Sequence, residues 1–343
     1  MIKVGFFPAH PSQFWMMKAL YDTAPSDVEI QWFIRDKDVT KKLIDSFEIP
    51  YTLVSKAQRG IIGNAFELAL NIFKFLLFSK KNKIDIWLSK YGAVNIAAWI
   101  LNQPNISFND DDADIVPLIA YTSYPFANKV LCTNWTRMVK FESKAVFYPS
   151  FHELFYLHPN RFTKDLNKVL SNLNMRELQP YVIIRLSSLE AHHDVTAEGI
   201  SADLLRTIIK MIGNEYQVYI SSEKDISPEF SRYQLKIEAG DMHHILAFSN
   251  ACIADSQTMI AEAAILGIPS LRISTFSKKI GYLQELERRG LCQSILPNSD
   301  SIFEAVGSLM NSSIEEIEGK KIQLLSETID PVPFFWEEIL TYQ

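Results

Sequence analysis

The chain of 343 residues carries a formal net charge of −6 and is 48% hydrophobic. Its length points to two domains with sizeable cores, and its acidic balance excludes a general nucleic-acid binder, which needs a basic face. Cys132, Cys252 and Cys292 are odd in number, widely spaced and set in apolar runs, so they read as reduced core thiols with no zinc spacing.

Residues 1–8 read as a strand and a turn. They lack the charged region, apolar core and small-residue cleavage site of a signal peptide. No apolar run reaches membrane-spanning length, and a cytoplasmic protein is expected. Strand and helix patterns then alternate, the mark of a parallel α/β architecture. Strands are expected at 2–7, 28–34, 51–54, 84–88, 106–108, 129–132 and 145–148. A polar span, 149–179, mostly helical or irregular, reads as the linker region. A second series follows at 181–186, 217–221, 235–238, 251–254, 270–273 and 292–296, and an aromatic helix at 334–342 ends the chain. The expected domains are 1–160 and 161–330, with 331–343 returning to the first. The fold class is α/β, with two facing Rossmann-like domains whose ligands sit at the carboxyl ends of the strands, in an interdomain cleft.

Polar residues at those strand ends are the candidates for chemistry. His10 follows the first strand and is either a surface histidine near a helix start or a general base. Between Gly60 and Lys81, a stripe of Phe66, Leu70, Phe73, Phe75, Leu76, Leu77 and Phe78 ends in Ser79-Lys80-Lys81. It reads as a core-packing helix, with an interfacial membrane contact through Phe73 to Lys81 as the alternative. Lys90-Tyr91-Gly92 follows another strand. Asn109-Asp110-Asp111-Asp112 places carboxylates after a strand, and these are a divalent-metal motif, a catalytic base or ordinary first-turn acids.

In the second half, Arg185-Leu186-Ser187-Ser188 and then His192-His193-Asp194 leave a buried strand as a polar loop. The arginine and serines suit a diphosphate. The run Gly240-Asp241-Met242-His243-His244 precedes a helix. Then comes Ala251–Ala254, an apolar strand, and Asp255-Ser256-Gln257-Thr258, a polar turn opening a helix that Gly267 ends. Such a turn offers free N–H groups and a positive dipole end, to which phosphate is the natural guest. Glu262, one turn beyond Thr258, is placed to reach a ribose, or is merely solvated on a capped helix. Neither a Gly-x-Ser-x-Gly elbow nor a Gly-x-Gly-x-x-Gly turn is present, which disfavours a hydrolase triad and a nicotinamide dehydrogenase.

Asp255 through Ala263 with Leu266-Gly267-Ile268-Pro269 resembles the donor segment of the GT-B superfamily, in UDP-N-acetylglucosamine 2-epimerases and the transferase that makes lipid II. There the serine and nearby amides hold the nucleotide diphosphate and the glutamate binds the ribose. Those roles fall on Ser256, the Gln257 backbone and Glu262, although Gln257 and Thr258 stand where relatives have paired glycines.

The wider chain resembles the domain of unknown function 354 family, GT-B glycosyltransferases of surface-polysaccharide clusters. The matching residues are His10-Pro11 with Phe14 and Lys18, Tyr148 through Leu154, Tyr156 through Pro159, Arg185 through Asp194, Asp241 through His244, and Lys279-Ile280 with Tyr282-Leu283. The resemblance implies a metal-independent GT-B glycosyltransferase with no cofactor beyond a nucleotide-sugar donor, UDP-linked, and a sugar or lipid-linked acceptor. Its catalytic residues would be His10, Asp110 or Asp112. Its substrate-binding set would be Arg185, Ser187, His193, Asp194, His243, Asp255, Ser256, Gln257, Thr258 and Glu262. A nucleotide-sugar epimerase or hydrolase, and a non-catalytic nucleotide-sugar-binding protein, are the alternatives.

Overall fold

A computed structural model describes residues 1–36, 38–56, 61–187, 199–222, 225–275 and 279–343. His193 and Asp194 lie outside the described residues. The chain divides into two compact units. The first comprises Met1–Arg161 with Ile329–Gln343, and the second Phe162–Thr328.

The first unit holds seven strands: β1 (Ile2–Phe6), β2 (Val28–Asp36), β3 (Tyr51–Lys56), β4 (Ile86–Leu88), β5 (Asn105–Asn109), β6 (Lys129–Thr133) and β7 (Ala145–Tyr148). They form one sheet in the order β3-β2-β1-β4-β5-β6-β7, parallel throughout. The second unit holds β8 (Tyr181–Leu186), β9 (Gln217–Ser222), β10 (Ala251–Ala254), β11 (Ser270–Ile273) and β12 (Gln293–Ile295). Their order is β12-β11-β10-β8-β9, again parallel.

Parallel sheets are covered on both faces, so their strands read as continuous apolar runs rather than alternations. Every residue of β4, β5 and β10 is buried. In the first unit Phe7, Phe33, Phe75 and Trp87 pack with the helix Gly92–Ile100. In the second, Val182, Ile184, Ile253 and Leu271 meet Leu205, Ile208 and Val306 from the helices.

Two expectations are corrected. Residues 235–238 are not a strand: only Gln234 bridges to Ile220, and the Leu235 N–H donates to the Ile220 carbonyl at 2.8 Å. Their alternation of apolar and charged side chains is real, but none of the four is buried, so no core demands a longer ladder. Residues 149–179 are not a plain linker either. Phe151, Leu154, Phe155 and Leu157 are buried, and Phe155 meets Phe335 of the terminal helix Pro331–Leu340 at 4.6 Å, all within the first unit. Where the chain leaves that unit and re-enters it, Arg161 clamps Asp330 through both guanidinium arms, at 2.6 and 2.8 Å. Bidentate pairs of this kind fix geometry as well as charge.

Candidate functional site

In the second unit the polar groups gather at the carboxyl end of β10, the strand flanked by β8 and β11. In register with Ala254, its last residue, stand Arg185 on β8 and Arg272 on β11. The Arg185 guanidinium donates to the Ser221 hydroxyl at 2.7 Å, bridging to β9. Arg272 is among the largest fully buried side chains. Arg272 is outside the residues expected at the site, and its signal in the sequence is a charge between Leu271 and Ile273 in a short strand that is buried throughout.

Past β10 the chain turns through Asp255 into the helix Gln257–Leu266. Ser256 is its N-cap, extended at φ −74° and ψ 137°, and its hydroxyl accepts the Met259 N–H at 3.4 Å. Gly267 ends the helix in the left-handed region at φ 79°. The cap satisfies one of the helix's initial N–H groups, and the amides of Gln257 and Thr258 belong to the turn that carries the positive end of the dipole.

Glu262 is buried within this helix, and its carboxylate lies 3.1 Å from His243 Nε2. His243 is buried too, with the Phe162 ring edge-on to it. Its neighbour His244 points elsewhere, stacked on Phe162 at 5.1 Å, with Nδ1 accepting the Asp165 N–H. Burial lowers the His244 pKa, as does Lys168. Asp241 pairs with Lys168 and Asn172, both at 2.9 Å. The reading of Glu262 as a solvated residue therefore fails: it is a buried carboxylate with a histidine partner.

Asp255 and Ser187, both expected at the substrate, are bound to each other. The Ser187 N–H donates to the Asp255 carboxylate at 2.7 Å, and the Ile200 N–H donates to it as well. Burial pushes the Asp255 carboxyl above its ordinary range against those bonds. Gly199 packs so closely that a Cβ there would lie 2.6 Å from Asp255 Oδ2. One buried carboxylate thus ties residue 187 to residues 199–200.

In the first unit a different cluster forms at the ends of β4, β5 and β7. Lys90 is buried, with Nζ 2.9 Å from Asp111 and 3.5 Å from Asp110. His152 Nδ1 lies 3.3 Å from the same Asp110 oxygen. Burial opposes ionisation of Asp110, but the charges of His152 and Lys90 override it and hold the carboxyl well below the ordinary range. Lys90 behaves in mirror image: burial favours its neutral form, and Asp111 and Asp110 keep it protonated. The imidazole is walled by Phe108, Tyr148 and Phe155. His152 lies outside the catalytic set expected from the sequence, within the stretch Tyr148 through Leu154 that carries the family resemblance.

Asp112 does not join this cluster. It is fully buried, accepting the Arg137 N–H at 2.7 Å and pairing with that guanidinium at 2.8 Å. Asp110 and Asp112 therefore face different cations and do not converge on one point. His10 is exposed at the end of β1, separated from β5 by β4. It caps the helix Pro11–Asp22 by accepting the Ser12 N–H at 3.3 Å through Nδ1. The cysteines are free, and burial pushes the Cys132 thiol up to about 12.

No protein-family model and no curated protein sequence matches the chain. Solved structures do. A UDP-GlcNAc 2-epimerase from Neisseria meningitidis, bound to UDP-GlcNAc, aligns over 100% of both chains with a TM-score of 0.67 and 13% identity. The spinosyn forosaminyltransferase SpnP aligns over 99% of both at 0.63 and 12%. MurG from Acinetobacter baumannii aligns over 99% of this chain and 100% of its own, at 0.58 and 12%. Two Rossmann-like units with parallel sheets, in the arrangement of strands and helices these proteins share, give the chain the fold of GT-B glycosyltransferases and UDP-GlcNAc 2-epimerases.

Proposed function

We propose that the protein is an enzyme acting on a nucleotide sugar, and specifically a metal-independent GT-B glycosyltransferase of surface-polysaccharide or glycoconjugate synthesis. The observation that carries the reading is the buried Glu262–His243 pair behind the Ser256 cap at the end of β10. A carboxylate buried beside a helix N-terminus, with arginines on both neighbouring strands, is an arrangement made for a diphosphate with a hydroxylated sugar attached. In this reading the amides of Gln257 and Thr258, together with Arg185, stabilise the departing UDP. Glu262 takes the ribose hydroxyls, held in orientation by His243. Asp255 and Ser187 shape the site and do not touch the ligand.

The acceptor is assigned to the first unit. Asp112, locked to Arg137, is removed from the catalytic set. Asp110, held well below the ordinary carboxylate range, is a weak proton acceptor, since basicity falls with pKa. That leaves His10 as the base, with Asp110 contributing fixed negative charge. Calorimetric titration with UDP, GDP, CDP and TDP tests the donor assignment. Wild type is expected to bind one of them, with Glu262→Ala and Arg185→Ala each weakening it at least tenfold. No binding of any diphosphate by wild type would sink the reading.

A second reading, a nucleotide-sugar epimerase, is favoured by the Lys90–Asp110–Asp111–His152 cluster, which supplies charged groups to one ligand without needing an acceptor. Incubating the donor alone and following its sugar signals by NMR separates the two. Isomerisation without acceptor selects the epimerase.

A further inference from the structure

The helix Ile61–Asn82 is built inside out. Its inward row is Glu67, Asn71, Phe75 and Ser79, all buried. Three of these four are polar, and each has a specific partner. Glu67 pairs with Arg35 at 3.1 Å, Asn71 donates to the Tyr91 hydroxyl at 3.0 Å, and Ser79 accepts the Trp87 indole N–H at 2.9 Å. Those bonds fix the helix's rotation, because turning it would orphan buried polar groups. The outward row is Phe66, Leu70, Phe73 and Leu77, which are 69%, 40%, 58% and 53% exposed. Spacings of four, three and four residues put them on one face. The expectation that this stripe is core fails for those four and holds for Phe75, with Leu76 and Phe78 packed half-buried against the same core.

The row runs on into exposed Lys80 and Lys81. From Phe66 to the helix end the single acid is Glu67, turned inward to Arg35. This local basicity stands against a chain whose net charge is −6. The neighbouring helices extend the pattern. Gly92–Ile100 packs against this helix and Pro117–Ser123 packs against Gly92–Ile100. The crossovers β3→β4, β4→β5 and β5→β6 all progress the same way across the sheet, and right-handed crossovers place such helices on one face. That layer also exposes Trp99, Ile100, Leu118 and Tyr121, with Lys140 3.9 Å over the Tyr121 ring.

We infer that this helix layer is a docking surface for an anionic lipid bilayer, which it meets as an interfacial contact lying in the membrane plane. Large apolar side chains sink below the headgroups while lysines at the helix end stay among the phosphates, the division of labour of interfacial helices. No helix among the described residues is long and apolar enough to cross a membrane. A second copy of the chain is a poorer occupant. A twofold pairing would bring Lys80 and Lys81 against their own copies or an uncharged stripe, with no acid on the helix face to receive them. The inference is independent of the reaction assigned above and would stand under either reading.

Co-sedimentation tests it, using vesicles of phosphatidylcholine with and without phosphatidylglycerol. Wild type is expected to pellet with the anionic vesicles, to remain largely in solution with the neutral ones, and to be released by high salt. Phe73→Glu and Leu77→Glu should each lower binding at least tenfold, with unchanged circular dichroism because both sites are solvent-facing. Lys80→Ala and Lys81→Ala, which leave the apolar row intact, should each cost about fivefold. Wild type staying in solution with anionic vesicles overturns the inference. So does a wild-type dimer, split by Phe73→Glu, that ignores vesicles, since the face would then be a self-association surface.

Discussion

Asp110 and Asp255 occupy the same place in their respective units. Each is the first residue beyond a fully buried parallel strand, β5 in one case and β10 in the other. They are held in opposite ways. Asp110 faces charges, Lys90 and His152, and its ionised form is strongly favoured. Asp255 faces backbone N–H groups from Ser187 and Ile200, and burial outweighs them, so its ionised form is disfavoured. The lesson concerns what a strand end is for. The first unit uses the position to concentrate charge, whereas the second uses it to pin loop backbone.

The largest expected effect comes from removing the charge that Asp110 and Asp111 share. Lys90→Met leaves two carboxylates without their buried cation, and breaking such a pair costs about 3–5 kcal/mol. Denaturant unfolding of the first unit should show it. The pH dependence gives an independent sign. Asp110 has a folded pKa below its unfolded value, so its contribution is fully present above about pH 4 and is lost as the pH falls toward the folded value. Wild type should therefore lose stability in acid, and Lys90→Met should lose less. An unchanged acid transition in the variant would break the contrast.

Asp255 should show the opposite slope. Its folded pKa is raised, so its contribution is greatest below about pH 4 and falls as the pH rises through the folded value. Asp255→Ala removes an acceptor from two amides, at about 1–3 kcal/mol each where they stay dry, and should abolish that falling segment. Gly199→Ala sharpens the same point from the other side. Its Cβ would press on the Asp255 carboxylate, and overpacking costs about 1–3 kcal/mol. Combined with Asp255→Ala the contacts with the carboxyl group go and only that with the residue 255 Cβ, at 2.8 Å, remains, so the clash is eased and the double variant should be more stable than the sum of the two single losses predicts. Strict additivity would mean that Asp255 does not anchor this backbone.

Most strands were legible because burial on both faces makes them short apolar runs bounded by polar turns. Residues 235–238 show the limit, since alternation signals a half-buried strand only where a sheet has a face to cover. The Ser256 cap and the Gly267 stop were legible because they are local, set by one turn of backbone. Glu262 stands out in the sequence by its place one turn beyond Thr258, but its histidine partner lies nineteen positions earlier, and no helical or strand period links the two. The same holds for Lys90, Asp110 and His152, which only the strand order brings together. On the helix Ile61–Asn82 the apolar stripe was plain, yet its direction was not. Hydrophobic patterning says that a face is apolar; only Arg35, Tyr91 and Trp87, bonding the opposite row, say that it points outward.

His10 offers the smallest structural effect and the sharpest separation of roles. It is exposed and caps its helix by accepting the Ser12 N–H, with the Ser12 hydroxyl 2.9 Å from the same nitrogen, a cap whose loss costs about 0.5–1 kcal/mol at such a site. His10→Ala should thus barely move the unfolding midpoint. His10→Asn keeps a good cap, because an asparagine oxygen accepts the same N–H, but it carries no titratable nitrogen. If His10 only caps, Asn restores whatever Ala loses, in stability and turnover alike. If it removes the acceptor's proton, Asn restores stability while turnover stays about 10²–10⁴-fold down, the usual worth of a general base. The expected result is the second, with kcat falling and the affinity for the nucleotide diphosphate unchanged, because that affinity is assigned to Glu262 and Arg185 in the other unit.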